Sequence, residues 1–160
     1  MQQTINIHLS DGIYQMPKPH ELKGGNIALF GSSANPPTVG HFRIVEYLHQ
    51  NENFDEIWVM PVYTHIFKKT RKLESYTDRL LMCKNSFEQL STNECIVRVV
   101  PVELLVFHSD PSFVQGTDRA GTVDVLLYLQ TQFPSLRFKL VLGTDTYNDL
   151  LAGRWKRSQE

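Results

Sequence analysis

Between residues 31 and 41 the chain reads Gly-Ser-Ser-Ala-Asn-Pro-Pro-Thr-Val-Gly-His. Small residues, two prolines that fix the backbone, and a histidine after glycine occur together. Their shared chemistry is the binding of a polyphosphate. Gly31, Ser32 and Ser33 let backbone N–H groups approach an anion closely, because small side chains leave the main chain open. If a helix starts near Gly40, its first turn adds unpaired N–H donors and a partial positive charge. His41 then sits where a ring N–H can reach the phosphates, and Thr38 adds a hydroxyl. A lone histidine would equally suit a surface hydrogen-bond network. The combination is what makes the segment specific.

The elements around this segment must hold it at the edge of a sheet. Residues 26–30 are a short apolar run that enters the small-residue loop, as a buried parallel strand would. After Pro36 and Pro37, residues Phe42, Val45 and Leu48 fall on one helical face. Residues 56–63 repeat the strand signature, and the basic stretch 68–72 follows as a loop. Ser75 can cap a helix carrying Tyr76, Leu80, Cys83, Phe87 and Leu90. Residues 95–107, rich in Val and Leu, predict a strand interrupted near Pro101. A helix over 121–132, a strand over 137–142 and a last helix capped by Thr144 or Asp145 complete the order. Alternation of this kind predicts an α/β fold, Rossmann-like and doubly wound, with a parallel sheet and helices on both faces. Ligands should then gather at the carboxyl ends of the strands.

The 160 residues suit one domain, and the apolar fraction of 41% with 21% charged is ordinary for a globular chain. A net charge of −1 argues against a broad nucleic-acid surface, so an anionic ligand must be gripped locally. Cys83 and Cys95 lack metal-site spacing and read as buried reduced thiols, and no metal-ligating cluster is legible. No apolar run suits a signal peptide or a membrane span, so the expectation is a cytoplasmic protein without a membrane partner, nucleus and organelles left open. Residues 1–25, with Pro17, Pro19, Gly24 and Gly25, read as an N-terminal extension.

The segment from Gly31 to His41 resembles the signature of the nucleotidyltransferase superfamily, which ends in His or Thr, any residue, Gly, His. The Asn-Pro-Pro-Thr wording is similar to that of nicotinamide and nicotinate mononucleotide adenylyltransferases, as are Met60-Pro61-Val62 and Phe67-Lys68-Lys69. Ala34 departs from the aromatic residue common in bacterial members. The resemblance implies that ATP meets Gly31, Ser32, Ser33, Gly40 and His41, and that Gly143-Thr144-Asp145 contacts the nucleotide through Gly143 and Asp145. It implies an acceptor site with Lys68 and Lys69 on a phosphate and Trp155 stacked on the pyridine. Thr122 opens a helix near that pocket in a Thr-x-Asp-Thr-like stretch, where Val125 replaces the second threonine. Asp145 can equally cap a helix, Trp155 can be core or terminus, and Trp58 reads as core.

The implied reaction joins ATP to a pyridine mononucleotide, with His41, Thr38 and Lys68 at the chemistry and Mg2+ held by substrate oxygens and water. Homologues often assemble, so a homo-oligomer belongs to the expectation. Family members also carry a later Ser/Thr and Arg segment that grips the triphosphate. No counterpart occurs up to Glu160, so the expected domain, residues 26–160, is truncated at its C-terminus. Two other readings stay open: a transferase with phosphopantetheine as acceptor or CTP as donor, and a noncatalytic nucleotide-binding homologue or fragment. A dinucleotide-binding oxidoreductase is set aside for want of Gly-x-Gly-x-x-Gly.

Overall fold

The computed structural model describes residues 12–63, 74–112, 121–143, 147–148 and 151–152. Four strands, β1 (Asn26–Ser32), β2 (Glu56–Pro61), β3 (Ile96–Val99) and β4 (Arg137–Val141), form one sheet in the order β3-β2-β1-β4. Every pairing is parallel. Four helices fully within the described residues accompany them: α1 (Val39–Asn51), α2 (Tyr76–Phe87), α3 (Val102–Ser109) and α4 (Thr122–Gln132). This is the α/β, Rossmann-like architecture that the alternation predicts.

Burial follows position in the sheet. All six residues of β2 are buried, and so are Ile27 to Phe30 of β1, because central strands are covered on both faces. The edge strands alternate instead, and β4 keeps Arg137 and Lys139 exposed. Successive side chains point to opposite faces. Ala28, Phe30, Ile57 and Val59 therefore join Val45 of α1 and Leu80 and Cys83 of α2 in one core cluster. Ile27, Leu29, Trp58 and Met60 join Val106 of α3 and Val125 and Leu129 of α4 in the other. Trp58 is a core residue, fully buried with its ring edge-on to Phe133 and Phe138.

The stretch 95–107 is not one strand. The ladder runs from Ile96 to Val99, and α3 occupies Val102–Ser109. Pro101 supplies the break, since it has no N–H for the ladder and its φ of −88° suits a helix entry. Val102, Leu104, Val106 and Phe107 are all buried, so α3 is apolar on most sides and leaves no 3.6-residue alternation to read. The last helix is described only at Tyr147, Asn148 and Leu151, where Tyr147 N–H reaches Gly143 O at 2.9 Å. Thr144 and Asp145 lie outside the described residues.

Part of the N-terminal extension is integral to the packing. Tyr14 is buried in the α1/α2 cluster and its hydroxyl meets Thr77 Oγ1. Met16 and Leu22 pack against the opposite cluster. Between them the Arg98 guanidinium of β3 donates to Glu21 O at 2.7 Å. The segment thus crosses beside β3, whose outward backbone groups are met by Ser91 Oγ at Val97, and by Glu88 Oε2 and Lys84 Nζ at Val99, which blunts the edge as a template for another strand.

Candidate nucleotide site

With β2 and β3 on one side of β1 and β4 on the other, the strand order reverses at the β1/β4 boundary. Open α/β sheets bind ligands in the crevice that such a reversal leaves at the carboxyl strand ends. A cavity of about 300 Å3 lies there, lined by Gly31, Ser32 and Ser33 after β1, Leu142 and Gly143 after β4, and Thr122 and Val125 of α4. Five residues singled out in the sequence, Gly31, Ser32, Ser33, Thr122 and Gly143, thus share one wall. Lys68, Lys69, Asp145 and Trp155 lie outside the described residues.

The start of α1 reaches this site through His41, which bonds to the cavity-lining Ser32. Thr38 is its N-cap, with Oγ1 accepting His41 N–H at 3.3 Å, while Thr38 N–H donates to His41 Nδ1 at 3.0 Å. A backbone amide can only donate, so Nδ1 carries a lone pair and the neutral ring carries its proton on Nε2. Nε2 lies 3.2 Å from Ser32 Oγ. Partial burial pushes the His41 pKa below its ordinary 6.5, which favours this neutral form. Thr38 therefore sets the tautomer and orientation of the residue that follows its cap. Gly40 is exposed at the same helix end.

The glycines here are not demanded by packing. A Cβ on Gly31 would approach Met60 no closer than 3.9 Å, one on Gly40 would stand 3.6 Å from Thr38 Oγ1, and one on Gly143 would meet nothing within 4 Å. Ala34, by contrast, is buried with a φ of +47°, and it packs among Phe30 and Val45 in the core. No group of three His, Cys, Asp or Glu side chains suited to a metal ion occurs among the described residues. No helix among them is long and apolar enough to cross a membrane.

The cytidylyltransferase-like family model matches residues 29–160. The chain belongs to this family. Among its relatives, a protein of Myxococcus xanthus named "Probable nicotinate-nucleotide adenylyltransferase" is 31% identical over 130 residues, covering 81% of this chain and 60% of that protein. A protein of the same name from Anaeromyxobacter dehalogenans is 32% identical over 139 residues, covering 86% and 67%. The nicotinic acid mononucleotide adenylyltransferase of Plasmodium falciparum complexed with NaAD matches in fold, with a TM-score of 0.61 at 18% identity, covering 85% of this chain and 59% of that one. The chain thus spans about three fifths to two thirds of the length of these curated relatives. The nucleotidyltransferase resemblance carried by residues 31–41 is borne out.

Within the cytidylyltransferase-like domain, the residue that sequence reasoning missed is Arg79. The residue is 1% exposed, and among the described residues its guanidinium donates to backbone carbonyls: Nε to Glu74 O at 2.9 Å, Nη1 to Ser33 O at 3.0 Å and to Val62 O, Nη2 to Tyr63 O at 3.4 Å. Asn35 Oδ1 adds a second tie by accepting Glu74 N–H at 2.9 Å. The loop after β1, the end of β2 and the start of α2 are thereby fastened to one planar fork, a geometry that lysine cannot reproduce. Burial lowers the Arg79 pKa, and Tyr76, Cys83 and Glu103 oppose the shift. Glu103, also buried, lines the cavity. A signal for Arg79 did exist: it stands between Tyr76 and Cys83 at helical spacing, a charge on an otherwise apolar stripe.

Proposed function

We propose that this chain is an adenylyltransferase acting on ATP and nicotinate or nicotinamide mononucleotide. The observation that carries the proposal is the Thr38–His41 cap, which turns a neutral Nε2–H toward Ser32 at the edge of the switch-point cavity. The printed names of the relatives supply the substrate class.

In the proposed reaction the acceptor's 5′-phosphate oxygen attacks the α-phosphorus of ATP in line. A new P–O bond forms, the α–β bridging P–O bond breaks, and pyrophosphate leaves. No covalent intermediate on the protein is required. Catalysis is positioning plus stabilisation of charge on the phosphates. His41 donates from Nε2, Thr38 holds its ring, and the amides near Ser32 and Ser33 with the α1 N-terminus receive the triphosphate. Gly31, Gly40 and Gly143 leave the main chain uncovered, which suits a ligand because the fold itself does not require glycine there. Lys68 and Lys69 are assigned to the acceptor phosphate, Thr122 and Trp155 to its base, and Asp145 to the ATP nucleoside. Mg2+ is assigned to the phosphate oxygens and water, which satisfy its octahedral preference. Residues 26–160 carry these roles, residues 1–25 being an extension. The reading includes a cytoplasmic location, small-molecule partners, no nucleic-acid or membrane partner, and a homo-oligomer.

The deciding experiment incubates the chain with Mg-ATP and either mononucleotide, measures pyrophosphate and dinucleotide, and runs CTP and His41→Ala as controls. Dinucleotide formed from ATP and abolished by His41→Ala supports the reading, and the preferred acceptor specifies the reaction. ATP binding without product in any combination rejects the transferase and leaves a nucleotide-binding module. Turnover of CTP in place of ATP reassigns the donor.

A further inference from the structure

Two donors converge on Ser32 Oγ. The Ala34 backbone N–H reaches it at 3.2 Å, and His41 Nε2 stands at 3.2 Å. The direction of the second bond follows from the far side of the ring, where Thr38 N–H occupies the Nδ1 lone pair at 3.0 Å, so Nε2 is the protonated nitrogen and donates. Both bonds are at the long end of the normal range, and their shared acceptor is a neutral hydroxyl. That hydroxyl belongs to a cavity-lining residue at the carboxyl end of β1. An anionic oxygen at the same point would take shorter, charge-assisted bonds about twice as strong as neutral ones.

We propose that Ser32 is a positioning residue whose hydroxyl holds the point that a phosphate oxygen of the nucleotide takes on binding. It holds His41 Nε2–H and the Ala34 N–H on one point and yields both when the anion arrives. The inference rests on the phosphate-binding role given above to residues 31–41. Ser32 can yield by rotating χ1 to another staggered well, without backbone movement. Because its two bonds must be given up on binding, the hydroxyl lowers the affinity for phosphates while fixing the ring that receives them.

The test is calorimetric titration of the full chain with magnesium pyrophosphate. Ser32→Ala is expected to bind roughly three- to tenfold more tightly than the unsubstituted chain, the scale of one net hydrogen bond released from competition. Ser32→Thr, which restores the oxygen, should return the affinity to its starting value. In a His41→Ala background about half of the gain from Ser32→Ala, on a logarithmic scale, should disappear, since one of the two competing bonds is gone. A merely structural serine would show neither the tightening nor its dependence on His41. Unchanged or weaker binding by Ser32→Ala, with the unsubstituted chain binding pyrophosphate, overturns this inference and leaves the phosphate loop standing. No binding by the folded, unsubstituted chain overturns the phosphate loop itself, and the inference with it.

Discussion

The two ends of the sheet both manage buried charge, and they do so in opposite ways. At the amino end, Glu56 opens β2 with no exposure at all. Its Oε1 accepts from Trp58 Nε1 at 3.0 Å and from Arg98 Nε, and its Oε2 accepts the Lys23 N–H. At the carboxyl end, Arg79 is equally buried but spends its fork on loop carbonyls, and the donors it helps to place meet only a neutral hydroxyl. The amino end joins strand, edge and N-terminal segment through the three donors that the Glu56 carboxylate accepts. The carboxyl end is tied by the same kind of interaction, yet its last donors meet on the hydroxyl of a residue that lines a cavity. Complete satisfaction marks a residue that serves folding, whereas weak satisfaction beside an open volume marks one that serves a ligand.

Substitutions at the two ends should separate accordingly. The largest effect is expected of His41→Ala, which removes the donor that we propose for developing phosphate charge and should lower turnover by roughly 10^2 to 10^3. Its melting temperature should stay close to that of the starting chain, and a collapse of both together would erase the contrast between the ends. Glu56→Ala should do the reverse. It leaves the Arg98 charge and the Trp58 N–H without their acceptor, at a cost of about 3 kcal/mol in chemical denaturation. Affinity for ATP measured on the fraction that remains folded should hold.

Gly31→Ala sharpens the comparison at one position. Its new Cβ meets only ordinary contacts, so stability should change by less than about 0.5 kcal/mol, while ATP affinity falls roughly tenfold as the methyl group displaces the triphosphate. An unaltered affinity would mean that no ligand passes over this residue. The smallest effect is a pH dependence at the cap. Burial depresses the His41 pKa, so the neutral ring is favoured by folding. The contribution is fully present above the ordinary histidine value of 6.5 and is lost as pH falls through the lower folded value, when Nδ1 gains a proton and can no longer accept from Thr38 N–H. An NMR titration following the ring nitrogens should show a midpoint below 6.5 and loss of the Thr38 amide bond at the same midpoint. A midpoint above 6.5 would contradict the cap.

The local structure of residues 31–41 was legible because everything that builds it lies within eleven residues. The strand end, the small residues, the N-cap and the histidine one turn later are local signals, and a cap and its helix turn are fixed by bonds spanning three or four residues. The strand-to-helix alternation was legible for the same reason, down to Ser75 as the cap of α2, which accepts Asp78 N–H at 3.1 Å. It failed at residues 102–109, where a helix buried on most sides carries no alternation and its apolar run looks like a strand.

The sequence by itself therefore determined the class of fold, the family, and the cap with which residues 31–41 enter α1. Only the tertiary structure decided which residues stand opposite that segment. Thr122 and Gly143 come to the wall of Gly31 because β4 pairs with β1 on the side away from β2. Arg79 ties Ser33, 46 positions away, to the end of β2. Nothing local encodes those distances. They follow from burying both faces of two apolar central strands at once, a condition the whole chain satisfies together.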